Sequence, residues 1–342
     1  MSLLLSPVEM AHLSLKNRVV MPPMCMYEVQ KEDGVATPFH FAHYGARAIG
    51  QVGLIIIEAT AIHPDGRLTN QDLGLWNEEQ TQALKKLVAS LHFLGATVGI
   101  QLNHGGRKAK DAVQAIAPSA IRFNEEYQVP TEMTIATIKQ TQKDFIEATK
   151  RAIAAGVDMI EIHGAHGYLV NQFLSPLTNQ RQDEYGGSLI NRYRFVKEVL
   201  TEIRQFYQGS LWIRLSLSDY VTEQNSLEQW QTLAQWLEAD GVDCIDASTG
   251  GLLDIKPNMA LHPGYQVPFA TALKRAITIP VVAVGLLDDP GLCEYLLQTK
   301  QTDLVAIGRG LIRNTNWLAD AAKELKDTNF KMYNHSYFRG QK

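Results

Sequence analysis

Cysteine is scarce in this chain, with three in 342 residues, at Cys25, Cys244 and Cys293. An odd, widely spaced set excludes a disulfide framework and leaves too few thiolates for a four-cysteine zinc or iron–sulfur site. Any electron-carrying cofactor is therefore expected to be organic. Basic charge is short as well: 32 Lys and Arg against 36 Asp and Glu give a formal net charge of −4. No Lys/Arg run offers the footprint that phosphate-backbone binding requires, so no nucleic-acid partner is expected. No window approaches the roughly 18 uninterrupted apolar residues of a membrane helix. The opening MSLLLSPVEM also lacks the basic stretch that precedes a secretory core. The expectation is a cytoplasmic protein with no membrane partner.

What is present reads as a large globular core, with 45% hydrophobic and 20% charged residues. Eight short β-branched runs recur: NRVVM at 17–21, VGLIIIEA at 52–59, TVGIQL at 97–102 and VDMIEIH at 157–163, then LWIRLS at 211–216, VDCIDAS at 242–248, PVVAVG at 280–285 and DLVAIGR at 303–309. Helical spacing separates them, as in 78–94, 138–155, 227–239 and 317–325. Gly156 and Gly241 each open a Gly-Val-Asp entry into a strand and suit the left-handed residue just past a helix. The pattern predicts an α/β fold, one (β/α)8 TIM barrel spanning residues 1–342, with a C-terminal tail over about 327–342. A doubly wound sheet is disfavoured because no GxGxxG follows the first run. The aperiodic stretches 103–134 and 164–190 follow strands three and four, which places them on the C-terminal face where barrel enzymes keep their chemistry.

The chemistry-bearing candidates cluster at strand ends. His163 closes the fourth strand, and Gly164 and Gly167 flank a tight path to His166 and Tyr168. Two imidazoles can polarise a carbonyl oxygen, and a phenol can protonate a carbon that is becoming negative. A strand-end His is also commonly satisfied by a backbone carbonyl. Two His three apart can ligate zinc, but no HExxH helix or third ligand accompanies these, and no metal is expected. Gly285 and Gly308-Arg309-Gly310 end the last two strands, where a barrel holds phosphate, though such glycines also simply permit turns. Arg214 could stabilise an anionic ring or pair with a carboxylate such as Asp219. Gln101 could hydrogen-bond a polar ring edge. Cys25 could tune a redox group or be a small buried hydrophobe. A phosphate-binding barrel lyase and a flavin carrier without turnover are the competing readings.

Taken together, the motifs NRVVMPPMCMY at 17–27, TPFHFAHYGARAIGQVGLIIIEAT at 37–60, GIQLNHGGRKA at 99–109, IEIHGAHGYLVNQFLSPLTNQRQDEYGGS at 160–188 and NRYRF at 191–195 resemble the Old Yellow Enzyme family of flavin ene-reductases. Cys25, Tyr27 and the His-x-x-His after strand four are similar to the bacterial NADPH dehydrogenase branch. The resemblance implies FMN contacted by Pro22, Pro23, Met24, Cys25, Ala59, Gln101 and Arg214, with its phosphate at Gly285, Gly308 and Arg309. It implies NADPH or NADH as reductant, and enone, quinone or nitro compounds as substrates. Tyr27, His163 and His166 would bind the substrate and Tyr168 would protonate it. It further implies a homodimer or homotetramer in which Arg339, in Tyr337-Phe338-Arg339-Gly340, crosses the interface. Pro22, Asn103 and the GQK ending depart from the family's usual residues.

Overall fold

The computed structural model describes residues 2–341, and all eight expected runs are strands of one closed parallel barrel. These are β1 (Val19–Met21), β2 (Leu54–Ala61), β3 (Val98–Asn103), β4 (Met159–Gly164), β5 (Ser210–Ser216), β6 (Cys244–Ser248), β7 (Val281–Ala283) and β8 (Leu304–Ala306). Each pairs with its neighbour in sequence, and β8 returns to β1, which makes a TIM barrel. Helices intervene, including α1 (Pro38–Ile49), α2 (Glu78–Phe93), α3 (Ile135–Ala155) and α4 (Leu189–Phe206).

The strands are apolar on both faces because each face meets a different partner. Val20, Leu54, Ile56, Met159, Trp212, Cys244, Val282 and Leu304 fill the barrel interior as one cluster. The alternate positions Ile55, Ile57, Ile100, Ile160, Ile162 and Ile213 pack in the cluster that includes the helices. This is the period of two that a strand imposes. A hairpin of Val8–Met10 with Leu13–Leu15 was not anticipated. It adds Leu13 and Leu15 to the interior cluster among the strand starts, so it plugs the N-terminal end.

The Gly-Val-Asp echo has a physical reason. Gly156 and Gly241 follow helix ends at φ 86° and 94°, conformations that carry no Cβ penalty in glycine. Two residues on, the Asp side chain accepts an N–H at the start of the preceding strand: Asp158 from Val98 at 2.8 Å and Asp243 from Leu211 at 2.8 Å. Asp303 does the same for Val281 at 2.9 Å. Each carboxylate thereby satisfies a buried donor that strand pairing leaves over.

On the opposite face the two long loops interlock. Gln172, in a short helix Leu169–Leu174, donates to the Gly105 and Gly167 carbonyls and accepts from the Arg107 N–H. The loop after β3 thus braces the loop after β4 around the barrel mouth.

Nothing lies within 4 Å of a Cβ added at Gly156, so Gly156→Ala isolates the backbone cost. Urea unfolding of that variant is expected to show a loss of about 1–2 kcal/mol with an unchanged m-value.

Candidate active site

Two cavities open at the C-terminal mouth and meet at Arg214. The first, about 220 Å³, is bounded by Pro23, Cys25 and Tyr27 after β1, Ala59 on β2 and Gln101 on β3, with His163, His166, Tyr168 and Arg214 completing it. The second, about 130 Å³, lies between Arg214, Ser248, Gly285, Gly308 and Arg309, with Tyr265 and Gln266 across from them. A larger groove of about 640 Å³ runs along the outer wall between α3 and α4, past Lys139, Lys197 and Glu198. It gathers no strand ends, and the mouth is the candidate site.

A bulge shapes the first cavity. The pairing of β2 with β3 shifts register between Ile57 and Thr60, and such an extra residue exchanges the faces of the side chains around it. Glu58 accepts from the Tyr44 hydroxyl of α1 at 2.7 Å, while Ala59 lines the cavity. The other Glu58 oxygen accepts the Met26 N–H at 3.0 Å, which fixes the chain beside Cys25. Burial, then the charges of Asp72 and Glu58, hold the half-buried Cys25 thiol well above its ordinary range, so it stays protonated.

His163, His166 and Tyr168 do converge. The His163 ring lies 5.2 Å from His166 and 4.9 Å from Tyr168, both edge to face. His163 Nδ1 accepts the Ala165 N–H at 3.3 Å, which leaves its ring proton on Nε2. His166 sits at φ 56°, and the Ser216 hydroxyl oxygen accepts its backbone N–H. Ser248 Oγ is 2.8 Å from His166 Nε2, within hydrogen-bonding distance. Burial, then His166, Arg214 and Lys108, hold His163 well below the usual histidine range. Burial, then Arg214 and Lys108, do so for His166. Burial first, then Cys25 and Tyr27, push the Tyr168 phenol up. The mouth therefore presents two neutral imidazoles and an un-ionised phenol.

Several neighbours escaped sequence reasoning. Lys108 lies 5.0 Å from the centre of the Tyr168 ring and donates to the His166 and Gly251 carbonyls. It stands in the GGRKA motif, and a cation in the loop after β3 was the available signal. Arg214 pairs with Asp246 on the adjacent strand, Nε to Oδ2 at 3.0 Å, and not with Asp219, whose charge faces Arg107. Gln101 Nε2 donates to Glu161 at 2.8 Å. Tyr265 and Gln266 come from a loop without a motif. Arg339 lies in the exposed turn His335–Gln341, away from both cavities of its own chain.

The pair of cavities fits an elongated flavin mononucleotide. Gly285, at φ 122°, and Gly308, whose added Cβ would approach Met24 Sδ to 3.2 Å, let backbone come close to a ligand. The helix Arg309–Arg313 begins at Gly308 and offers first-turn N–H groups with no intrahelical partner. Arg214 Nε and Gln266 Oε1 are buried without aligned partners. Among the described residues no group of three His, Cys, Asp or Glu could hold a metal.

A family model described as the NADH:flavin oxidoreductase / NADH oxidase family matches residues 3–328. The NADPH dehydrogenase of Listeria monocytogenes serovar 1/2a is 48% identical over 328 residues, 96% of this chain and 96% of that one. The structure of morphinone reductase is similar at TM-score 0.81 and 28% identity, over 98% of this chain and 93% of that one. 2-Naphthoyl-CoA reductase is similar at TM-score 0.88 over 94% of this chain, but this chain spans 52% of its length at 24% identity, which shows the fold alone.

His163 and His166 make an acid-sensitive contribution to stability. Their folded proton affinity lies below the ordinary value of 6.5, so the unfolded chain takes up protons first as pH falls through 6.5. Stability is then lost toward acid by up to about 1.4 kcal/mol per histidine per pH unit. The raised carboxyls of Asp72, Asp219 and Glu161 act in the opposite direction, so the histidine contribution is read as a difference: between pH 7 and pH 5 the urea midpoint is expected to fall less, or rise more, in His166→Asn than in the wild type.

Proposed function

Since this chain belongs to the NADH:flavin oxidoreductase / NADH oxidase family, the Old Yellow Enzyme family its motifs resemble, and uses FMN with NADPH or NADH, we propose that it is an ene-reductase. Its substrates are electron-poor alkenes such as enones, with quinones and nitro compounds as related electrophiles. The observation that carries this reading is the convergence of neutral His163, neutral His166 and un-ionised Tyr168 in one cavity.

FMN supplies a ring that accepts hydride from the nicotinamide and returns it to the β-carbon of the alkene. Pro22, Pro23, Met24, Cys25 and Ala59 would flank that ring, Gln101 and Arg214 would meet its polar edge, and Gly285, Gly308 and Arg309 would hold the phosphate. The joined cavities, lined by all of these residues except Pro22 and Met24, support this assignment, and Pro22 and Met24 stand beside Gly308.

His163 and His166 bind the substrate carbonyl oxygen. A neutral imidazole donates without carrying a charge that would have to be desolvated, and its hydrogen bond strengthens as that oxygen becomes enolate-like. Tyr168 gives its proton to the α-carbon. The half-buried Lys108 ammonium, beside the Tyr168 ring, stabilises the phenolate left behind until solvent reprotonates it. Tyr27, part exposed at the rim, covers the substrate. Arg339 reaches the site from a neighbouring subunit in a homodimer or homotetramer, a role supported by its exposure and its tail motif. The free thiols at Cys25, Cys244 and Cys293 suit the reducing cytoplasm.

Stopped-flow measurement of the two half-reactions tests the roles. Tyr168→Phe is expected to leave bleaching of FMN by NADPH within about twofold of wild type and to slow reoxidation by cyclohexenone about 10²-fold or more. Removing one carbonyl donor, in His163→Ala, is expected to cost roughly 10²–10³-fold in the same step. Equal slowing of both half-reactions by Tyr168→Phe would refute the proton-donor assignment.

A further inference from the structure

Beneath the mouth the barrel interior holds three ionisable side chains whose charges do not balance. Arg214, Asp246 and Glu161 are 6%, 1% and 0% exposed. Arg214 and Asp246 are register partners on β5 and β6, with Nε 3.0 Å from Oδ2. Glu161, on β4, receives one hydrogen bond, from Gln101 Nε2 at 2.8 Å. Glu161 Oε2, both Asp246 carboxyl oxygens and Arg214 Nε have no aligned hydrogen-bond partner.

Among the described residues the surroundings offer no second cation. The Cys244 thiol, on the strand of Asp246, is pushed up by burial, then Asp246, and stays neutral. His163, above, is held neutral by burial. Gln101 is uncharged. The other strands contribute Val20, Ile56, Val282 and Ala306 to the interior. With both acids ionised, the layer would carry one uncompensated negative charge out of contact with water, which is costly. A proton on one of the two acids removes it.

We propose that Glu161 and Asp246 are a proton-sharing carboxyl pair that positions Arg214 under the flavin and takes up one proton when negative charge is added above Arg214. Asp246 holds the Nε edge of the guanidinium, and the rest of that side chain faces the cavities it lines. Reduction by NADPH brings two electrons and one proton as hydride, and NADP⁺ departs. The negative charge left on the ring draws on the same Arg214 that compensates the pair, so one solvent proton binds the carboxylate. The oxidised-state threshold for this uptake lies at Glu161, whose carboxyl burial, then Asp246, push up to about 8. Below that pH the proton is already in place. Above it, reduction and protonation occur together.

The inference rests on the assignment of Arg214 to the flavin, and the two can be separated by spectroelectrochemical titration of the FMN-loaded enzyme. In the wild type, the fall of midpoint potential with pH is expected to steepen above about pH 8. The steepening corresponds to about 30 mV per pH unit, the tenfold increment of a two-electron couple. Glu161→Gln is expected to abolish the break and Asp246→Asn to move it to lower pH, because removing the Asp246 charge relieves the repulsion that raises Glu161. A straight wild-type profile across this range, or an unchanged break in Glu161→Gln, would overturn the carboxyl pair while leaving the flavin assignment standing. Arg214→Lys is expected to weaken FMN binding and shift the potential. If it does neither, the assignment of Arg214 fails and the inference falls with it.

Discussion

Closure of eight parallel strands is the constraint on which everything else depends. A closed barrel has no unpaired edge, and parallel pairing sends every strand's C-terminal end to one mouth. Residues from far parts of the chain are thereby delivered to one mouth: Cys25, Ala59, Gln101, His163, Arg214, Gly285 and Gly308 all stand at or just beyond strand ends. The interior below is filled by alternate side chains and plugged at the far end by the hairpin bearing Leu13 and Leu15. The site is thus a sealed cup with one open side.

Sealing determines the protonation states. Burial is the first cause of each shift at the mouth, and nearby charges act in second place. A neutral imidazole donates a hydrogen bond, and an un-ionised phenol holds a transferable proton. The same low-polarity environment makes the unbalanced carboxylates around Arg214 costly, so one physical cause links the donors above to the acids below. Hydrogen bonds to Ser216 and Ser248 and the interlocking Gln172 then hold the donors in register.

The strands were legible because their β-branched runs are short, apolar on both faces and evenly spaced, and the helix ends because Gly156 and Gly241 stand where only glycine is unstrained. His163, His166 and Tyr168 were legible as polar residues crowded into a glycine-flanked loop at a strand end. What escaped depends on contacts between strands. The partner of Arg214 is Asp246, thirty-two positions away in sequence but its register neighbour, whereas nearby Asp219 faces Arg107 instead. The inward turn of Ala59 comes from a bulge that no residue type signals. Tyr265 and Gln266 approach Gly285 through a loop with no periodicity, and the hairpin strands, at three residues each, are too short for alternation to show.

The central claim is that the mouth delivers hydride to one carbon of an alkene and a proton from Tyr168 to the other. Isotope tracing tests it most directly: the FMN-loaded enzyme is turned over with cyclohexenone and NADPH deuterated at the transferable C4 position in ordinary water, and the product is analysed by NMR. The account predicts deuterium at the β-carbon and solvent-derived hydrogen at the α-carbon. Deuterium at the α-carbon, or oxidation of NADPH without saturation of the C=C bond, would contradict it.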